Sequence, residues 1–201
     1  MTADLISAPD LLAASDCANA DLSLRAATDA DLAFLREVFI STRREEFMRT
    51  GWGPERVDAF LSEQFGLQHK YYQEHYRQGC FDVVSLAGRP VGRLYHAWRP
   101  RQLGDEVRVI DISLLTEWRG RGIGTRLMHA VIAEAVMQGL PVSLNVEADN
   151  PVQRLYRRLG FVKTGSGGVY ETMRRDAARF DFPATPLTAL RRDPGMPVEP
   201  R

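Results

Sequence analysis

Arg119-Gly120-Arg121-Gly122-Ile123-Gly124-Thr125 puts three glycines into five residues. The stretch lies between an apolar strand pattern that ends near Leu115 and a helical pattern that runs on to Met137. Glycines strip the side chains from a strand-to-helix turn. The start of a helix also leaves backbone N–H groups without intrahelical partners and carries the positive end of the helix dipole. Together these make a site for phosphate or pyrophosphate, and Arg119, Arg121 and Arg126 add positive charge. A turn tightened only for packing would read the same way in isolation. Two familiar phosphate loops are excluded. A Walker loop needs Gly-Lys-Ser/Thr, and no lysine is present here. A dinucleotide fingerprint starting at Gly120 would need glycine where Thr125 stands, and one starting at Gly122 would need it at Leu127.

The patterns on either side suggest what holds this turn. Leu22 to Arg25 alternates as a short strand, and Thr28 offers a cap for a helix running to about Thr42. Gly51 to Pro54 breaks the chain, and Val57, Phe60, Leu61 and Phe65 start a second helix that continues towards His75. Phe81 to Leu86 and Val91 to Trp98 read as a hairpin, and Glu106 to Leu115 as a third strand. After the helix from Gly122 to Met137, Val142 to Glu147 alternates as a fifth strand. Asn150-Pro151 carries two helix-start signals, and Gly160 sits where a left-handed cap belongs. Phe161 to Lys163 and Val169 to Met173 read as the last strands. The order predicts an α+β layout around one mixed sheet. The expected division is an arm over 1–20, one domain over 21–181 and a Pro-rich tail over 182–201, the tail disordered or taken up by a partner.

Composition narrows the function classes. The chain has 201 residues, with 26 Lys plus Arg balanced by 26 Asp plus Glu, so it lacks the basic excess that marks a nucleic-acid binder. Hydrophobic residues make up 44% and charged residues 26%, which suits a folded globular chain. Only Lys70 and Lys163 are lysines. Cys17 and Cys80 form neither a disulfide framework nor a zinc signature, which fits a reducing compartment. Residues 1–20 contain Asp4, Asp10 and Asp16 but no Lys or Arg, unlike a signal peptide, and no stretch approaches the length of a membrane span. The expectation is a cytoplasmic protein with no nucleic-acid or membrane partner.

Two motifs then point one way. Arg119-x-x-Gly122-x-Gly124 resembles the Arg/Gln-x-x-Gly-x-Gly/Ala signature of the GNAT superfamily of N-acetyltransferases. Asn150-Pro-Val-Gln-Arg-Leu-Tyr156-Arg-Arg-Leu-Gly160-Phe161 resembles the second signature of that family, an Asn-led helix ending in Leu-Tyr-x-x-x-Gly-Phe. The two stand in the right order on the expected elements, and the resemblance covers about Leu22 to Arg174. It implies an α+β fold with a mixed, mostly antiparallel central sheet flanked by helices in three α/β/α layers, and acetyl-CoA as cosubstrate with no metal. It also implies that the backbone of Arg119, Gly120, Arg121, Gly122, Ile123, Gly124 and Thr125 holds the CoA pyrophosphate. Main-chain groups of Leu114 and Leu115, with Thr116 near, would bond the pantetheine and polarise the thioester carbonyl. Asn150 would contact the cofactor arm besides capping its helix. Tyr156 would be the catalytic acid that protonates the departing thiolate, as a neutral phenol can.

The general base stays open at this stage. The family positions for it fall on Arg108 and Ile110, and neither can serve. Strict period-two alternation turns Asp111 to the opposite face. Glu45, Glu46, Glu147 and His96 are other candidates. The acceptor is a small-molecule or peptide amine, with Phe47, Trp52, Phe65, Tyr71, Tyr72 and Tyr76 as an aromatic roof or as core. The reading is acetyl transfer to a primary amine by direct attack in a ternary complex. A non-catalytic acyl-CoA sensor on the same fold, or transfer from another acyl-CoA, are the alternatives, and a homodimer is left open.

Overall fold

The computed structural model describes residues 20–177 and 185–191. The expected arm, apart from Ala20, and the parts of the Pro-rich tail at 182–184 and 192–201 lie outside the described residues. Within them the order is β1 (Leu22–Ala26), α1 (Leu32–Met48), α2 (Pro54–His75), β2 (Cys80–Leu86), β3 (Arg89–Trp98) and β4 (Val107–Leu114). Then follow α3 (Ile123–Met137), β5 (Val142–Glu147), α4 (Gln153–Arg158), β6 (Val162–Gly167), β7 (Tyr170–Arg175) and the short turn of helix α5 (Leu187–Leu190). One seven-stranded sheet runs β1-β2-β3-β4-β5-β7-β6, and every neighbouring pair is antiparallel except β4 with β5. No helix among the described residues is long and apolar enough to cross a membrane.

Alternating strands sort their side chains between two apolar layers. On one face Leu24, Val84, Leu94, Val109, Leu144 and Met173 pack against Leu127, Val131 and Ala135 of α3 and Tyr156 of α4. On the other, Val83 and Tyr95 meet Leu35 and Phe39 of α1 and Val57, Leu61 and Phe65 of α2. This is the three-layer α+β arrangement that the family resemblance implies.

Three local outcomes differ from the sequence reading. Helix α1 runs six residues past Thr42, to Met48, because nothing breaks the chain before Gly51, which has φ +82°. Arg44 to Asp58 at 3.0 Å ties the extension to α2, and Glu45 pairs with Arg49 one turn on. Helix α4 starts at Gln153 rather than at Asn150, because Pro151 and Val152 form a turn. Residues 185–191, placed by the sequence reading in the tail, are built into the α3 face. Leu187 is 1% exposed within that core, the Thr188 N–H donates to Glu134, and Arg191 lies beside Leu24 of β1 and donates to Asp82 at 2.8 Å. One turn of helix is too short to show periodicity, so the sequence alone does not reveal it.

The sheet opens at one place. β4 and β5 pair only at Val107, Arg108 and Val109 against Val142, Ser143 and Leu144, while β4 continues to Leu114. Beyond Val109 the two parallel strands diverge and leave a wedge in the middle of the sheet.

Candidate active site

The glycine-rich turn closes the mouth of that wedge. A one-turn 3-10 helix (Thr116–Trp118) leads from β4 to Arg119, and Gly122 caps α3. Gly120 and Gly122 have φ of +71° and +78°, left-handed values that favour glycine. Gly124 has ordinary helical backbone. A Cβ built on Gly120, Gly122 or Gly124 would meet nothing within 4 Å. The three positions therefore line open space in front of the first N–H groups of α3, a cradle that side chains would fill. Ile123 is fully buried in the α3 core, so only its backbone faces the turn. Thr125 sits half-buried in the first turn of α3.

The arginines have structural work. Arg119 donates from Nε to the Leu114 carbonyl at 2.9 Å and from a terminal nitrogen to the Ser41 hydroxyl of α1. Arg126 reaches back to the Ala20 carbonyl at 2.9 Å. Arg121 lies over the buried Trp118 ring at 5.4 Å. These contacts brace the turn against β4, α1 and Ala20, and the α3 backbone N–H groups remain facing the open space.

The β4 main chain needs a correction. The Leu115 N–H donates to the Val91 carbonyl, and the Leu115 carbonyl accepts from Trp118. Leu115 is thus committed to β3 and to the turn. An antiparallel ladder alternates its bonding direction along the strand, so Ile112 and Leu114 face the wedge instead. Leu114 was anticipated from the sequence; Ile112 was missed, because which strand edge a residue faces is set by register. The Thr116 hydroxyl donates to the Ser41 carbonyl, which draws it towards α1.

On the α4 side, the Asn150 side chain accepts from the Val152 N–H at 3.0 Å and shapes the turn before the helix. Gly160, with φ +85°, ends α4, and Arg175 of β7 donates to the Leu159 carbonyl at 3.0 Å. This anchors Tyr156, which is 6% exposed and packs on Phe161 at 5.8 Å. Its hydroxyl bonds to none of the described residues. Burial first, and the negative charge of Asp111 second, push the phenol up to about 12, so it stays protonated at any working pH.

Asp111 does not lie on the face that strict alternation assigns. Tyr95 pairs with Asp111 and His96 with Val109, leaving Ile110 as an extra residue in β4. Such a bulge breaks the period of two. Ile110 and Asp111 therefore both face the α1/α2 layer, where Ile110 packs in the core. There Arg93 of β3 grips Asp111 with two bonds, 3.3 and 2.7 Å, and the Ser113 hydroxyl adds a third at 2.7 Å. Gln68 of α2 accepts from the same guanidinium at 2.9 Å.

The other base candidates lie elsewhere. Arg108 bonds Ser143. Glu45 and Glu46 are exposed on α1, and Glu147 is exposed beside Asn150. His96 is 1% exposed on the α3 face, 3.4 Å from Asp82. Of the six roof aromatics, Tyr72 comes closest to this cluster, ring to ring with Tyr95 at 6.2 Å. Tyr71 stacks on His75, Phe65 packs on Phe39, and Phe47 and Trp52 pack on Phe60. Tyr76 stands edge-on to Tyr72.

Comparison with known proteins agrees with this geometry. The model of the acetyltransferase (GNAT) family matches residues 42–161, and the chain belongs to that family. No curated protein matches it significantly in sequence. Similar solved structures include the paiA N-acetyltransferase of Thermoplasma acidophilum in complex with coenzyme A. That likeness has 18% identity, covers 77% of this chain and 98% of that one, and has a TM-score of 0.57. Another is a histone acetyltransferase and related acetyltransferase of Corynebacterium glutamicum, with 22% identity, coverage of 81% and 99%, and a TM-score of 0.58. An acetyltransferase of Thermus thermophilus has 20% identity, coverage of 77% and 96%, and a TM-score of 0.51. At these identities the likeness concerns the fold.

Proposed function

We propose that the protein transfers the acetyl group of acetyl-CoA to a primary amine that attacks it directly in a ternary complex. The observation that carries this is the wedge between β4 and β5, with a side-chain-free helix start at its mouth and a buried, protonated tyrosine on its wall. The cosubstrate named in the Thermoplasma complex, coenzyme A, suits that shape. Acetyl-CoA supplies the thioester; this chain supplies position and protons.

Backbone N–H groups of Gly122, Ile123, Gly124 and Thr125 would hold the pyrophosphate. Wedge-facing main-chain groups of Ile112 and Leu114 would align the pantetheine, with an N–H directed at the thioester carbonyl, where negative charge develops. Asn150, through its side-chain amide, would contact the cofactor arm. Asp111 would orient the incoming ammonium, whose proton leaves through water before attack. Tyr156 Oη would give its proton to the departing sulfur. Holding amine and thioester together supplies much of the rate.

The test is calorimetry with acetyl-CoA followed by thiol release with a panel of primary amines. Binding with amine-dependent release supports transfer; binding without release from any amine leaves a sensor. Gly124→Val places a side chain in the open space before the α3 N–H groups at an ordinary helical position. It should weaken acetyl-CoA binding at least tenfold with the melting curve unchanged. Unaltered affinity would remove the loop from the site.

A further inference from the structure

The acceptor side of the wedge carries more positive than negative charge. Arg43 of α1 lies with its guanidinium carbon 4.1 Å from the Phe39 ring centre, and that of Arg93 lies 5.9 Å from the same centre. The two cations therefore sit no more than 10.0 Å apart across one aromatic ring. Asp111 is the carboxylate that faces them, and Arg93 occupies both of its oxygens. Arg43 is half-buried, and one bond to the Thr42 hydroxyl, 2.8 Å, is the polar contact it makes. No carboxylate among the described residues pairs with it. Its neighbours on the helix do pair: Arg44 with Asp58, and Arg49 with Glu45. Tyr72 of α2 joins the same neighbourhood, edge-on to the Tyr95 ring at 6.2 Å, and the Arg93 guanidinium carbon lies 5.0 Å from the centre of that ring. Arg43, Phe39, Arg93, Asp111 and Tyr72 thus stand together on the α1/α2 face of the sheet, beside the diverging end of β4.

A half-desolvated cation without a counter-charge is costly, and chains that retain one generally pair it with something. The guanidinium fork matches a carboxylate in shape and offers two parallel bonds. Resting on the proposed function, we infer that the acceptor is an amine that also bears a carboxylate, its ammonium directed to Asp111 and its carboxylate received by Arg43. Tyr72 lies against the apolar body between the two charges. Arg43 is then the residue that selects amino acids over plain amines.

The test uses the full chain with acetyl-CoA and matched acceptors that differ by one carboxylate: phenylalanine against phenethylamine, and γ-aminobutyrate against butylamine. The wild type should favour the carboxylate-bearing member of at least one pair by roughly 10–100-fold in kcat/KM, the size expected of a charge-assisted fork, with the difference in KM. Arg43→Met keeps an apolar stem on Phe39 and removes the charge; it should abolish the preference, and Arg43→Lys should recover part of it. Acetyl-CoA affinity should be the same in all three. Equal use of both members by the wild type, or an undiminished preference in Arg43→Met, overturns the inference. Titrating the same pairs into protein saturated with coenzyme A reads the acceptor subsite without turnover. Discrimination there without thiol release would sink the transfer reading and keep the carboxylate subsite. Turnover without discrimination would do the reverse.

Discussion

In the proposed reaction the chemistry at Tyr156 depends on one oxygen atom. Tyr156→Phe keeps the ring against Phe161 and removes the proton donor. Turnover at saturating acetyl-CoA should fall by roughly 10²–10⁴-fold, the usual loss of a positioned acid, with little change in acetyl-CoA affinity or melting temperature. Because burial raises the phenol to about 12, the wild-type rate should show no falling limb from this group as pH rises through 8 to 10; a limb that disappears in the Phe variant would show a phenol of ordinary acidity. Tyr156, Asn150 and the glycines were legible from sequence because their spacing is local. Asp111 was not, since one inserted residue, Ile110, reverses the facing of everything after it, and only the pairing of β4 with β3 reveals the insertion. Arg43 was hidden for another reason: apolar periodicity faded near Thr42, while the helix continued on charged contacts with α2 and within itself.

Among the elements, the entry to α1 carries a pH-dependent tie. The Thr28 N–H and hydroxyl both donate to the Asp31 carboxylate, and Arg25 of β1 grips it at 2.6 and 2.7 Å. Arg25 first, then the Thr28 bonds, hold the Asp31 carboxyl far below the usual carboxylate range. A depressed folded pKa contributes stability above the unfolded value, near 3.9 for Asp, and loses it as pH falls towards the folded one. Asp31→Asn should therefore cost about 1 kcal/mol at pH 7, the scale of a lost cap, because the partly exposed arginine is screened by solvent. The gap between the two melting curves should narrow below about pH 4. A constant gap down to pH 2 would show that the carboxylate charge contributes nothing. The cap segment Thr28 to Asp31 was visible in the sequence; Arg25, the partner of Asp31, was read only as the end of a strand, since strand-to-helix ion pairs leave no periodic mark.

The two layers of the whole molecule differ in what closes them. The α1/α2 layer is sealed by neighbours in sequence. The α3 layer is completed by residues 185–191, which cross back to β1. Leu187→Ala should cost about 2–5 kcal/mol, as for other fully buried leucines, lowering the melting temperature while the proposed catalytic groups stay in place. An unchanged melting curve would mean that this segment rests on the core without being part of it. The order of strands in the sheet came only with their pairing; the elements and their α+β order followed from hydrophobic period. This clasp did not, because four helical residues after a proline-rich approach give no pattern to read.

The clasp also sets a condition on how the protein is made. Arg191 meets Leu24, so β1 receives this neighbour only after the chain as far as Arg191 has been synthesised. Until then β1 can pair with β2 on one side while the edge that Arg191 meets lacks that contact, and an uncovered edge is a template for joining another chain. Contacts between such distant residues also form slowly. The nascent chain thus passes through an interval, ended by the arrival of Arg191 at Asp82, in which that edge of β1 lacks this partner.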